Sequence, residues 1–363
     1  MRLFKLLTAL LLLTTTAFAE DFETIKAKWE SNMLSFGQQN CTALQSTVIN
    51  DENQNRTYYD AARVFFQIAD YTAQGSWNLC ANYTKPHYRN SYVIKNGGSV
   101  PAYWVFPHGL ALDYKRNNDP ASNQALDMLS DNASYCRGTA YELGALPDPA
   151  LQREAAYCLM LMIEQKRLGK ATPLISNYLG FVKQHLRKQF VDNTVAYHQP
   201  FMVSLGAEAL IQYNRDIAKD SEILPLLQAA ASALWSKDWD FVSKSFKYYQ
   251  NGGASWEPSL DLNLLIVPMY GWLYKQTGDS TWRLMGDQIF EYGVNGAWLV
   301  GGKQFNQNYR SSFNYVEWRQ AAATPIPTPT PQPTATPAPT PKPCSMALTH
   351  AGFDCRLRKL EAK

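Results

Sequence analysis

The sequence predicts an all-α fold built of helical hairpins, and three observations carry that expectation. From residue 20 to 320 apolar residues recur at three- and four-residue spacing, while sustained period-two alternation is scarce. Five segments share one layout: an amphipathic helix, a break rich in Asp, Asn or Gly, then a second helix. Stretches of a different character bound this region at both ends.

At the amino end, residues 1–19 read as a secretory signal peptide. Arg2 and Lys5 form a charged start, Leu6 to Leu13 an apolar core, and Ala17-Phe18-Ala19 a small-x-small cleavage site. The expected mature chain begins near Glu20 and is secreted or periplasmic. No later run reaches the roughly eighteen uninterrupted apolar residues of a membrane span. Six cysteines fit an oxidising compartment, and sequence order suggests the pairs Cys41–Cys80, Cys136–Cys158 and Cys344–Cys355.

The hairpins follow in order: ARVFFQIADYTAQGSWNLCANY, GLALDYKRNNDPASNQALDMLS, AYCLMLMIEQKRLGKATPLISNYLGFV, EALIQYNRDIAKDSEILPLLQAAASAL and YGWLYKQTGDSTWRLMGDQIF. Their first helices are expected to end near Tyr71, Tyr114, Arg167, Tyr213 and Tyr274. No single hairpin buries its own apolar face, so they must stack into a solenoid or close into a ring. Residues 321–343, alternating Thr and Pro, favour extended polyproline II and form a linker. Residues 344–363 are too few for an ordinary domain and read as a short Cys-containing tail, a candidate for tethering to a surface or partner.

In WLYKQTGDSTWRLMGDQIF a helix closes at Thr277-Gly278-Asp279 and another opens on Ser280. Gly278 suits a helix C-cap, and Asp279 or Ser280 the next N-cap. This unit resembles the repeat of α/α-toroid carbohydrate-active enzymes, secreted glycoside hydrolases and polysaccharide lyases that include alginate lyases. The resemblance covers most of residues 58–320 and is one of architecture and rhythm. It implies an incomplete or complete barrel of helical hairpins acting on polysaccharide.

Composition limits the alternatives. A net charge of +3, scattered along the chain, gives no nucleic-acid footprint. The 10 Trp and 21 Tyr suit sugar stacking, and they suit a core equally. No GxSxG, P-loop, HExxH or dinucleotide fingerprint appears, and no Cys/His spacing marks a zinc site, so no cofactor or metal is expected.

Candidate site residues fall into four places. KQFNQNYRSSFNYVEWR, 303–319, reads as one helix with three stripes. One is Phe305, Tyr309, Ser312, Phe313 and Val316; another Lys303, Gln307, Arg310, Asn314 and Glu317; the third Gln304, Asn308, Ser311, Tyr315 and Trp318. The third stripe is either a packing seam or the wall of a polar groove. Tyr197-His198-Gln199, just before Pro200, should lie on a loop at a helix mouth, where scaffolds place functional groups, though a histidine there also packs or caps locally. Tyr103, Trp104 and His108 enter one helix, and Trp256, Glu257 and Asp261 another; an indole beside a carboxylate or imidazole suits a sugar subsite, and core aromatics and helix-start acids are the plainer reading. His87 and Arg89 are lesser candidates, and His185 reads as part of a solvated basic face.

The favoured activity is that of a lyase cleaving a uronate-containing polysaccharide, of alginate or glucuronan type, by β-elimination. Its C5 proton is acidic enough to remove only once the carboxylate is neutralised, so the site needs Asn, Gln, Arg or His against it, plus Tyr or His as base and acid. His198 and Tyr315 are the expected base or acid, with Arg310, Asn308 and Gln199 on the carboxylate and Tyr197, Trp104, His108, Trp256 and Glu257 on the sugar. The resembled alginate lyases use an Asn-His pair; here Tyr197 precedes His198. The alternatives are a glycoside hydrolase using a carboxylate pair among Glu257, Asp261, Asp60 and Glu142, and a non-catalytic glycan-binding protein on the same fold.

Overall fold

The computed structural model describes residues 21–251, 254–255 and 257–320. The expected signal peptide, the expected Thr-Pro linker, the expected tail with Cys344 and Cys355, and Trp256 lie outside the described residues.

The described chain is mostly helical. In order, its α-helices are α1 (Phe22–Leu44), α2 (Asp51–Asn55), α3 (Ala61–Thr72), α4 (Trp77–Tyr83), α5 (Pro107–Asn117), α6 (Pro120–Asn132), α7 (Ala140–Ala145), α8 (Gln152–Arg167), α9 (Ile175–Phe190), α10 (Pro200–Asp216), α11 (Ile223–Ala233), α12 (Asn263–Thr277), α13 (Ser280–Gly296), α14 (Gly302–Tyr309) and α15 (Ser312–Gln320). The five expected hairpins are α3/α4, α5/α6, α8/α9, α10/α11 and α12/α13, and the two helices of each pack on one another.

The hairpins differ inside and out. The first helices α8, α10 and α12 are buried on nearly every face, with apolar runs along their middles and polar groups among the buried side chains of α8 and α10. The second helices α9 and α13 bury one stripe and show the rest to solvent. The first helices also pack in succession: α3 on α5, α5 on α8, α8 on α10, α10 on α12, α12 on α14, and α14 on α3 again. The first and last of the described helices are joined by aromatic packing. Trp29 of α1 lies against Tyr309, Phe313 and Phe290, and Tyr309 donates from its hydroxyl to the Trp29 carbonyl at 2.8 Å.

Local chemistry sets the turns. Gly278 closes α12 at φ 71°, its N–H bonded to Tyr274 at 2.8 Å, and the Asp279 carboxylate caps α13 by accepting from Thr281 N at 2.9 Å. A left-handed C-cap is where glycine avoids the Cβ clash. Disulfides Cys41–Cys80 and Cys136–Cys158 tie α1 to α4 and the segment after α6 to α8. Among the described residues no helix is long and apolar enough to cross a membrane.

Short strands interrupt the helices on one side. β1 (Tyr197–His198) pairs antiparallel with β4 (Gln250–Asn251), which pairs with β5 (Ala254–Ser255). β2 (Trp239–Asp240) pairs with β3 (Ser245–Lys247), and β3 with β6 (Pro258–Ser259), both antiparallel.

Two expectations need correction. Residues 303–319 are not one helix: the run breaks at Arg310 and Ser311, between α14 and α15, so stripes drawn across the break do not exist as faces. His185 is not solvated but fully buried, with Nε2 at 2.6 Å from the Leu146 carbonyl, and burial lowers its pKa to about 4.

Candidate functional site

The N-terminal ends of α3, α5, α8, α10 and α14, with the segments leading into them, gather aromatic and charged side chains into a mouth. Tyr58 packs edge-on against Tyr59 at 4.8 Å and Trp104 at 4.6 Å. Lys303 lies 5.1 Å from the Tyr58 ring, and the Arg153 guanidinium 4.7 Å from the ring of Tyr103. Tyr197 meets Tyr249 at 5.2 Å, and Tyr248 stacks near Phe201. Tyr103 and Tyr248 are 37% and 40% exposed, so the mouth opens to solvent. Burial pushes the hydroxyls of Tyr58, Tyr59 and Tyr197 above the usual phenol range, which keeps them protonated donors.

The mouth is held in a strained shape. Tyr59 and Asp60 have φ of 63° and 67°, a left-handed pair of non-glycine residues. Such conformations cost roughly 1–3 kcal/mol each and persist only where the surroundings impose them. Here Asp60 caps α3 by accepting from Arg63 N at 3.2 Å, and accepts from Gly109 N at 3.0 Å. A Cβ on Gly109 would stand 2.3 Å from Asp60 Oδ1, so only glycine lets α5 come this close. Asn306 of α14 donates to the carbonyls of Arg56 and Tyr58, both at 2.8 Å, and Gln307 donates to that of Asp261 at 2.6 Å. One amide of the 303–319 stretch thus pins the turn that leads into the mouth at α3, and a second pins the turn that leads into α12.

Below the mouth, a buried charge network links α3, α5, α8 and α10 to the α14–α15 break. Glu208 accepts from Arg63 at 2.6 Å, Arg310 at 3.0 Å and Gln212 at 3.2 Å. Arg310 also donates to Tyr157 at 3.1 Å. Burial alone would raise the Glu208 carboxyl, but Arg310 and Arg63 outweigh it and hold the pKa near 2. Asp60 goes the other way: burial raises it to about 6 against the hydrogen bonds from Gly109 and Arg63. His108 is driven well below its ordinary value by burial and by Arg63. As a neutral ring it accepts from Arg63 at Nδ1, 3.5 Å away, and donates from Nε2 to Gln212 at 2.9 Å.

Each residue expected from the sequence has a definite place. Tyr197 and Trp104 line the mouth. His198 is buried, against Phe190, with Nδ1 3.0 Å from Asp238, within ion-pair reach but off hydrogen-bond alignment. Gln199 precedes α10, and its side-chain oxygen is buried without a partner. His108 and Arg310 belong to the charge network. Glu257 is exposed; Asp261 accepts from Trp298 N at 2.7 Å, and burial raises its pKa. Asn308 is fully buried and donates to Gln304 of its own helix at 2.9 Å. Tyr315 packs against Phe22 and Phe290 and donates to Asp287 at 2.6 Å, beside the Arg319 guanidinium. His87 bonds the Leu44 carbonyl at 3.3 Å, Arg89 pairs with Asp113 and Asp119, and Glu142 accepts from Arg137 and Thr139. His198, Asn308, Arg310 and Tyr315 share no hydrogen-bond or ion-pair partner.

Sequence reasoning missed Tyr58, Tyr59, Arg153 and Glu154. Glu154 is 6% exposed; one oxygen accepts from Arg153 at 2.8 Å and the other has no hydrogen-bond partner. Tyr58-Tyr59-Asp60 directly precedes an amphipathic helix, just as Tyr197-His198-Gln199 does, and that position was the signal that could have found it.

No protein-family model, no curated protein and no solved structure matches the chain.

Proposed function

We propose that the hairpins close into an α/α toroid and that the chain is a polysaccharide lyase whose substrate site is the aromatic mouth. The cyclic succession of helix packing supports the toroid. The activity rests on one observation: protonated tyrosines and two cations, Arg153 and Lys303, meet at a strained, partly open mouth.

In this reading Tyr103 and Trp104 carry the pyranose face, and Arg153 with Lys303 takes the uronate carboxylate. Neutralising that carboxylate acidifies C5. His198 accepts the C5 proton, the electron pair becomes the C4=C5 double bond, and the C4–O bond breaks. Tyr59 or Tyr197 donates its proton to the departing oxygen, a general-acid role that a phenol held protonated can fill. Arg310 acts from below, holding Glu208 and Tyr157, and Asn308 and Tyr315 have no part.

The test is ultraviolet absorbance of the mature protein with alginate, glucuronan, pectate and glycosaminoglycans. Rising absorbance from the conjugated uronate is expected on one of them; a flat trace on all would sink the lyase reading. The buried carboxyls of Asp60, raised to about 6, and Glu154, with a vacant oxygen, favour a second reading as a glycoside hydrolase. Reducing ends released without absorbance would select it.

A further inference from the structure

A second groove lies away from the mouth. It has a volume of about 590 Å³, within the roughly 300–1,000 Å³ of ligand sites, and its walls come from the C-terminal part of α3 and from α15. Asp60, at the start of α3, belongs to the mouth; Tyr71, in its last turn, lines the groove. At 1.5 Å per residue the two lie about 16 Å apart along the helix, so the groove is at the far end.

We infer that this groove is a second, non-catalytic glycan-binding site, selective for neutral sugars. Its aromatic floor is rigid: Tyr71 packs edge-on against Trp29 at 5.4 Å and Phe313 at 5.6 Å, and its hydroxyl donates to Glu30. Amide groups stand beside the rings. Gln67 and Asn314 line the groove, and the Gln67 side-chain oxygen is buried with no hydrogen-bond partner. Rings flanked by amides offer a pyranose an apolar face to cover and hydroxyl partners at its edge.

Charge sets the class of sugar. The one cation of the lining, Lys26, is paired with Glu30 at 2.7 Å. Asp70 is paired with Arg116 at 2.5 Å, and Glu317 lies 3.7 Å from Lys275. No guanidinium or imidazole lines the groove to receive a uronate carboxylate, and Asp70 and Glu317 repel one. The mouth differs in carrying Lys303 and a guanidinium, Arg153, although Arg153 is shared with Glu154. The groove site stands apart from the reaction proposed for the mouth, and it would hold the protein on neutral glycan while the mouth works on another chain.

The experiment is native electrophoresis of the mature protein through gels containing β-glucan, galactomannan, xylan or starch, with alginate as the anionic comparison. Retardation by at least one neutral glycan is expected. The double variant Gln67→Leu/Asn314→Leu should weaken it about tenfold, since two hydrogen bonds are lost, with an unchanged melting curve. Tyr103→Ala, at the mouth, should leave it unaltered. Three results would overturn the inference: no retardation by any neutral glycan, retardation lost in Tyr103→Ala but kept in the double variant, or a dimer in solution that the double variant dissociates, which would make the groove an interface between copies. Absorbance with uronate polymers reads the mouth separately, so either site can fail alone.

Discussion

Glu208 and Glu154 are both buried carboxylates beside arginine, and they are treated in opposite ways. In the buried network below the mouth, Glu208 accepts from Arg63, Arg310 and Gln212 and keeps a pKa near 2. At the mouth, Glu154 accepts from Arg153 on one oxygen and leaves the other vacant. A buried polar group without a partner is destabilising, so a vacancy beside half-open aromatic rings is where a ligand gains most. In the proposed reading, the unpaired Glu154 oxygen beside the rings, rather than residue type, points to the mouth.

The comparison breaks first at Glu208. Replacing Glu208 by Gln leaves two buried guanidinium groups without their carboxylate, and removing one partner of a buried ion network costs about 3–5 kcal/mol. Urea unfolding should show that loss. A change below about 1 kcal/mol would mean that the buried network is not closed to water as the distances imply.

Asp60 sharpens the contrast, because it touches both regions. Its carboxyl, raised from 3.8 to about 6, binds its proton more tightly folded than unfolded. The folded chain therefore holds the extra proton between those values, and this contribution fades as pH rises through 6. Glu208 has the reverse sign: its contribution is complete above 4.5 and lost as pH falls toward 2. His108 and His185, both lowered by burial, add stability that is lost as pH falls below 6.5, against the trend of Asp60. The clean readout is therefore wild type against Asp60→Asn. Their stability difference should shrink by on the order of 2–3 kcal/mol between pH 4 and 7, since each tenfold gain in proton affinity is worth about 1.4 kcal/mol. A constant gap would show that Asp60 does not titrate as its burial requires.

The sequence made the hairpins legible, because burial repeats with helical period and because caps such as Gly278 and Asp279 act within a few residues. The buried charge network was hidden for the opposite reason. Glu208 meets Arg63 and Arg310 across 145 and 102 residues, and no local pattern records such pairs. Residue type alone puts Arg310 on a uronate carboxylate, whereas it is the side chain that completes an internal network. A helical wheel through 303–319 assumes continuity, and the break at Arg310 removes it. Packing, which the sequence does not record, decides where Tyr315 sits: Gly271 and Gly286 leave room for its ring, and its hydroxyl donates to Asp287.

A smaller effect is expected at Asn306, which links the 303–319 stretch to the mouth. Asn306→Ala strips the carbonyls of Arg56 and Tyr58 of their buried donor, a loss of about 2 kcal/mol. It also frees the turn that carries Tyr59 and Asp60 in left-handed geometry. Turnover should fall further than stability does, with the maximum rate dropping more than substrate affinity. Equal losses in both would make Asn306 a fold residue only.

Tyr103 is the weakest position in stability and the most telling in function. Its ring is 37% exposed and packs under the Arg153 guanidinium, so Tyr103→Ala should shift unfolding by less than about 0.5 kcal/mol, as surface changes usually do. If the ring carries a sugar, its loss removes a stacking contact and loosens Arg153, together about 1–2 kcal/mol of binding. That corresponds to roughly tenfold in affinity. The buried network behaves in the reverse manner, since Glu208→Gln is expected to cost stability first and to reach substrate only indirectly. A stable Tyr103→Ala protein with undiminished affinity for its glycan would move the site away from the mouth. A stable protein with a tenfold deficit would show that the unfinished contacts at the mouth are completed by sugar.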